Sequence, residues 1–258
     1  MAFMDRAAGI SALRDRLAAG GASVGSWMHF RDPSVAEVMG RAGYDWVALD
    51  LEHGHFSRAQ LPDLFRALEL GGTLPLTRLS VGSADECKSV LDAGAAGVIV
   101  PMVDTADRLK QIRSACRWPA AGTRGVSFSR ANMFGKDFEA YRVEAHAPFL
   151  VAMIEHVDAL SELDSILSVS GLDAVLIGPY DLSASLGRTG HLDHPDVVDA
   201  EAEIRRAAFV QGLACGVHVV EPGPKEVLER IAAGDRFVAH SMDAVFLSKA
   251  ADWPEATL

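Results

Sequence analysis

Eight short apolar runs rich in valine, isoleucine and leucine recur along the chain, at 23–30, 46–52, 74–79, 97–103, 148–155, 174–179, 214–219 and 236–242. Longer amphipathic stretches separate them, at 33–42, 57–70, 83–94, 105–116, 158–168, 195–212 and 222–233. Apolar runs without polar alternation read as strands buried on both faces, the condition of a parallel sheet covered by helices. Gly43, Gly71, Gly94, Gly212 and Gly234 close several of the amphipathic stretches, as expected where a helix ends in a left-handed residue. Eight such units in roughly 250 residues predict an α/β fold of the closed (β/α)8 kind, a TIM barrel. A doubly wound open sheet would want a GxGxxG turn after an early strand, whereas Gly20-Gly21 precedes its strand. No Pro/Gly/Ser-rich linker or composition break divides the chain. It reads as one domain, 1–258, with a short N-terminal helix and a short C-terminal helix.

In such barrels the chemistry sits at the carboxyl ends of the strands. The polar residues there are His29 and Arg31, then Asp50, Glu52 and His53, then Arg78, then Glu155 and His156, then Asp181, His218 and Glu221, and finally His240, Ser241 and Asp243. Charged groups ending apolar strands are costly unless paired or ligated, so these residues predict an anion site with a cation in it. Composition narrows the partners. Thirty-five acidic residues against 24 lysines and arginines give a net charge of −11, and the pI is near 5.2. That balance disfavours the nucleic-acid backbone and anionic membranes and leaves a small-molecule substrate. No apolar run reaches the roughly 18 residues of a membrane span. The N-terminal stretch has no signal-type apolar core. Cys87, Cys116 and Cys215 are too few and scattered for a disulfide framework. A cytoplasmic location is expected.

Glu155 and Asp181 end neighbouring strands, so their carboxylates can converge as ligands for a hard divalent cation, with water and substrate oxygens completing the shell. The alternative is that each caps the helix that follows. Asp50 and His53 have the spacing of a carboxylate–imidazole acid/base pair, although a lone DxxH is more often a satisfied structural histidine. His53, His55 and His156 make zinc conceivable, but no HExxH or paired CxxC supports it. Arg78 is suited to a carboxylate or a developing enolate, or else to an ion pair with Glu155 or Asp50. The Gly178-Pro179 step ahead of Tyr180 and Asp181 would leave backbone N–H groups free for a substrate carboxylate. A Schiff-base aldolase needs a lysine inside the barrel. All five lysines (Lys88, Lys110, Lys136, Lys225, Lys249) fall on expected helices or loops, so imine chemistry is not expected.

The segments DLEHG (50–54), LDAGAAGVIVPMVDT (91–105), GTRGV (122–126) with SRANMFG (129–135), IEH (154–156) and IGPYDLSASLG (177–187) together resemble the HpcH/HpaI family of class II pyruvate-dependent aldolases. The resemblance runs from about residue 23 to about residue 247. It implies a (β/α)8 barrel, a divalent metal (Mg²⁺, Mn²⁺ or Co²⁺), and reversible cleavage of a 4-hydroxy-2-oxo acid to pyruvate and an aldehyde. By position it places the metal carboxylates on Glu155 and Asp181, the substrate arginine on Arg78, and the acid/base histidine with its supporting aspartate on His53 and Asp50. It also implies a homotrimer or homohexamer in which Asp92 serves the neighbouring subunit's site. Without it, Asp92 reads as a solvated charge at a helix end. Two residues before the metal glutamate the family commonly has a glutamine that touches substrate or metal water. Here the residue is Met153.

The expected mechanism has Arg78 stabilising an enolate oxygen while His53 moves the proton of the C4 hydroxyl. The 120–147 segment, with Arg124, Arg130 and Arg142, is expected to be a lid or a wall on the aldehyde side. Two other readings stay open. One is related enolate chemistry on the same scaffold, such as oxaloacetate decarboxylation or malyl-CoA-type thioester cleavage. The other is a non-catalytic metabolite-binding barrel.

Overall fold

A computed structural model of the chain describes residues 4–251. Eight parallel strands close into a barrel in chain order: β1 (Ser23–Met28), β2 (Trp46–Asp50), β3 (Leu74–Arg78), β4 (Gly97–Val100), β5 (Phe149–Ile154), β6 (Ala174–Ile177), β7 (Ala214–Val219) and β8 (Phe237–Met242). The helices around them are α1 (Arg6–Ala18), α2 (Pro33–Gly40), α3 (Leu61–Gly71), α4 (Ala84–Ala93), α5 (Ala106–Cys116), α6 (Phe138–His146), α7 (Leu163–Leu167), α8 (Pro179–Ser185), α9 (Pro195–Val210), α10 (Pro224–Ala232) and α11 (Asp243–Ala250). The expected barrel and all eight strands are present. Two helices depart most from the pattern. α3 starts at Leu61 rather than near 57, because Gln60 Oε1 takes the Ser57 N–H and hydroxyl into a turn. The stretch 158–168 divides into a 3₁₀ turn, Val157–Glu162, and the single-turn α7.

Strand parity divides the core in two. One set of side chains, including Val47, Leu49, Val98, Val100, Ala152, Ile154, Val175 and Ile177, packs outward against the helices. The other fills the lumen: Trp27, Trp46, Ala48, Leu74, Leu76, Ile99, Phe149, Val151, Met153, Leu176, Phe237 and Ala239. At the amino end Trp46 stacks on Phe237 at 4.6 Å and meets Trp27 edge-on at 6.0 Å. A Cβ at Gly25 would lie 2.0 Å from the Trp46 ring, so glycine there is what admits the indole. Ile10 and Leu13 of α1 close this end. The lumen is therefore a packed core, and the polar strand-end residues lie above it at the carboxyl end.

The 120–147 segment contradicts its expectation as a lid. It follows α5 and leads into β5, which puts it at the amino end of the barrel. Arg130 pairs with Glu69 at the end of α3 and donates to the Ala93 carbonyl at the end of α4. Arg124 donates to the Tyr141 hydroxyl at 2.9 Å, and Arg142 pairs with Glu139 on its own helix. Arg130 thus fastens the segment to the barrel's amino end, while Arg124 and Arg142 bond within the segment, away from the strands' carboxyl termini.

Candidate active site

The inward parity of each strand, extended by one position, sets the upper layer of the lumen. On β1 it runs 25, 27, 29; on β2 46, 48, 50; on β3 74, 76, 78. On β5 it reaches 151, 153 and 155, on β6 174, 176 and 178, and on β7 214, 216 and 218. His29, Asp50, Arg78, Glu155, Gly178 and His218 are thus carried inward by the same alternation that buries Trp27, Leu76 and Met153 below them.

Asp50 is fully buried and holds this layer together. Its Oδ1 accepts from Arg78 Nε at 2.8 Å, and its Oδ2 from Arg78 Nη2 at 2.5 Å. Oδ1 also takes the backbone N–H groups of Glu52 (3.1 Å) and His53 (3.3 Å), turning the chain sharply after β2. Burial pushes this carboxyl up, but the bonds from His29 and Arg78 outweigh it and hold Asp50 well below the usual range. The Arg78 guanidinium lies 4.8 Å over the Trp27 ring. Its Nη1 stands 3.3 Å from Glu52 Oε2 and 3.9 Å from Met153 Sδ. Of the two alternatives for Arg78, the ion pair is thus formed with Asp50, while N–H bonds of both terminal nitrogens remain for a ligand.

One pairing differs from the sequence expectation. The imidazole on the Asp50 carboxylate is that of His29, with Nε2 2.7 Å from Oδ2. His53 touches Asp50 through its backbone N–H alone, and its ring is exposed without a hydrogen bond among the described residues. The reason is the tight turn: by taking the N–H groups of Glu52 and His53, Asp50 is committed to the loop's backbone. His29 was visible only as one of many strand-end residues; the parity Trp27–His29 opposite Ala48–Asp50 is the signal that joins the pair.

Glu155 ends β5 with one oxygen used and one free. Oε1 accepts the Met102 N–H at 2.6 Å, and Met102 adopts a left-handed φ of 50° to present it. Oε2 is buried without a partner. Burial pushes the Glu155 pKa up to about 7, the Met102 bond opposing it and the negative charges of Glu52 and Asp181 adding to it. Neither carboxylate caps a helix: the residue before α8 is Gly178, and Asp181 lies exposed in its first turn. A Cβ at Gly178 would stand 2.3 Å from Glu155 Oε2, so this glycine keeps the free oxygen's surroundings open. Gly178 gives its N–H to the Ile154 carbonyl (3.4 Å) and Pro179 has none, so the N–H groups left at this helix start are those of Tyr180 and Asp181. Among the described residues no group of three or more His, Cys, Asp or Glu side chains gathers as a metal cage. His156 instead accepts the Asp158 N–H, so the three-histidine zinc set is not assembled. All five lysines are exposed on the outside of the barrel. Asp92 lies at the end of α4, at the barrel's amino end, apart from all of these residues.

A model of the HpcH/HpaI aldolase/citrate lyase family matches residues 23–250. The chain belongs to this family. It is 36% identical over 254 residues to a hydroxypyruvate/pyruvate aldolase of Roseobacter denitrificans, covering 95% of this chain and 98% of that one. It is 37% identical over 243 residues to a 2-keto-3-deoxy-L-rhamnonate aldolase of Shigella boydii, with 93% and 90% covered. A solved HpcH/HpaI-family protein from Burkholderia cenocepacia superposes with a TM-score of 0.86 at 29% identity, covering 93% of this chain and 95% of that one. As a member of this aldolase family the protein is an enzyme, a lyase, and the metabolite-binding alternative falls away. Among the described residues no helix is long and apolar enough to cross a membrane.

Proposed function

We propose that this enzyme is a divalent-metal-dependent aldolase that reversibly cleaves a 4-hydroxy-2-oxo acid to pyruvate, or a close analogue, and an aldehyde. The observation that carries this reading is the buried, unpartnered Oε2 of Glu155, kept open by Gly178 beside Asp181 and across the mouth from Arg78. Two carboxylates, with no third His, Cys, Asp or Glu gathered beside them among the described residues, suit a hard ion such as Mg²⁺ or Mn²⁺, whose shell substrate and water complete. Held there, such an ion would polarise the 2-oxo group of the substrate.

The protein's residues do the remaining work. Arg78 is locked by two bonds to Asp50 and by Trp27 beneath it, so its outward N–H bonds meet a developing enolate oxygen without reorganisation. The N–H groups of Tyr180 and Asp181 suit the substrate carboxylate, next to Gly178 and Pro179. His53, exposed at the rim, suits the C4 hydroxyl and the entering aldehyde. Met153 sets a thioether beside Arg78, so the arginine's Nη1 has a weak acceptor there and stays available to the substrate. The names of the relatives, one for hydroxypyruvate and pyruvate and one for a keto-deoxy sugar acid, support a short 2-oxo acid as the enolate donor. We place the active form as a homotrimer or homohexamer.

The test is a screen of 4-hydroxy-2-oxo acids with a coupled pyruvate assay, with and without EDTA. Cleavage that EDTA abolishes and Mg²⁺ or Mn²⁺ restores is expected. Full activity in excess EDTA after dialysis overturns the proposal. Borohydride with pyruvate should leave the protein unlabelled, and oxaloacetate yielding pyruvate without any aldol cleavage would reassign the reaction.

A further inference from the structure

We propose that His29 is a second acid/base residue of this site, the one that exchanges the proton at C3 of the pyruvate enolate. This assignment rests on the aldolase reading above. His29 shares an oxygen with Arg78: Asp50 Oδ2 takes both His29 Nε2, at 2.7 Å, and Arg78 Nη2, at 2.5 Å. Because the doubly bonded Asp50 stays ionised, it accepts only, and His29 must present Nε2 as N–H. The lone pair of the neutral ring is then on Nδ1. That atom makes no protein hydrogen bond among the described residues, and it is not among the buried unpartnered atoms, in contrast to Nε2 of His240. The side chain keeps 22% of its surface, so a base with a fixed tautomer opens at the mouth.

The ring is held from both sides. Asp243 accepts the backbone N–H groups of His29 (2.8 Å) and Phe30 (2.9 Å), which anchors the end of β1 to the start of α11. Asp50 from β2 and Arg78 from β3 face the ring's Nε2 side. His218 from β7 also lies within electrostatic reach of the ring; burial, followed by the Arg78 charge, pushes its pKa down to about 4, so it stays neutral.

Position assigns the proton. Arg78 is the group that meets the enolate oxygen, and C3 is bonded to the carbon bearing that oxygen. A base on the carboxylate that Arg78 shares is therefore placed for C3, whereas exposed His53 is placed for the C4 hydroxyl further out. In cleavage, His53 accepts the hydroxyl proton as the C3–C4 bond breaks and its electron pair passes into the enolate. His29, protonated on Nδ1 from solvent, then delivers that proton to C3 while the C2 carbonyl re-forms. In pyruvate alone the same base removes a C3 proton and returns one from solvent.

The experiment follows the methyl signal of pyruvate by proton NMR in D₂O with the intact protein and Mg²⁺, without aldehyde. The wild-type chain should exchange its methyl protons, and His29→Gln should slow the exchange about 10²–10⁴-fold with pyruvate affinity changed less than about threefold. Glutamine at this position can still donate to Asp50, so a purely structural role predicts exchange at the wild-type rate, and that result overturns the assignment. His29→Ala should regain exchange with added imidazole. Histidine ¹⁵N shifts in the metal-free wild-type protein should report the Nε2–H tautomer for His29; an Nδ1–H tautomer is equally fatal. A wild-type protein that neither exchanges nor cleaves any 4-hydroxy-2-oxo acid refutes the aldolase reading itself.

Discussion

Asp50 shows why single residues in this site are not interchangeable. Its carboxylate accepts from two side chains and two backbone N–H groups, so it orients other groups instead of titrating. The sequence placed Asp50, Arg78, Glu155 and Asp181 at one mouth through strand ends alone. It did not reveal that His29 would take the carboxylate, because side-chain pairing depends on loop geometry that spacing does not encode. Gly178 offers a sharp test of the open oxygen at Glu155. Gly178→Ala puts a methyl 2.3 Å from Oε2, so Glu155 must move, and Mn²⁺ affinity read by EPR should fall about 10–100-fold, the usual effect of disturbing a ligand's support. Unchanged affinity would separate Glu155 from the metal. His218 gives a stability prediction. Its pKa falls from 6.5 unfolded to about 4 folded, so between those values the unfolded chain binds a proton that the native state does not, and stability declines as pH drops through this window. The shift corresponds to about 3 kcal/mol at most. His218→Leu should show a shallower loss of urea midpoint between pH 6.5 and 4.5 than wild type.

Among the elements, the β–α alternation was readable because each run is short, apolar and bounded, and parity then fixed which strand residues face the lumen. The 120–147 segment was not readable in the same way. Its arginines resemble ligand-binding residues in sequence, but Arg130 is taken by buried Glu69, Arg124 by the Tyr141 hydroxyl and Arg142 by Glu139 on its own helix. Arg6 of α1 pairs with Glu69 and with Glu144 at 2.9 Å each and donates to the Ala131 carbonyl at 2.5 Å. Burial pushes the Glu144 carboxyl up, with Arg6 as its main counterweight. Removing one partner of such a buried set strands the other charges, which costs about 3–5 kcal/mol. Arg6→Ala should therefore lower the unfolding free energy read from urea titration by that amount, and adding Glu144→Gln should recover part of it. Equal stability of the single variant and wild type would mean that α1 is held by its apolar contacts alone.

For the molecule as a whole, the two ends of the barrel are unlike, and this bears on assembly. The carboxyl end carries the proposed site. The amino end carries Asp92, half-buried at the end of α4, with Oδ1 buried and unpartnered. Burial raises its pKa, and the charges of Arg124 and Lys88 oppose that rise. Arg124 is itself buried, with Nε and Nη1 unpartnered. Beside them Val126, Phe128, Met133 and Phe134 stand about half or more exposed, an apolar surface of the kind that marks contact sites on otherwise soluble chains. Asp92 cannot serve its own site, from which the packed lumen separates it, but the amino end of one copy set against the mouth of another would bring it there. Light scattering at assay concentration should give a trimer or a hexamer, and a catalytically active monomer would exclude this arrangement. Asp92→Asn should lower kcat about 10²-fold or more if the carboxylate acts with a neighbour's acid/base group, without dissociating the oligomer. Phe128→Asp, placed in the apolar surface, should dissociate the oligomer and lose activity with it. Were Asp92→Asn fully active in an intact oligomer, Asp92 would be a solvated charge at a helix end and each barrel would work alone.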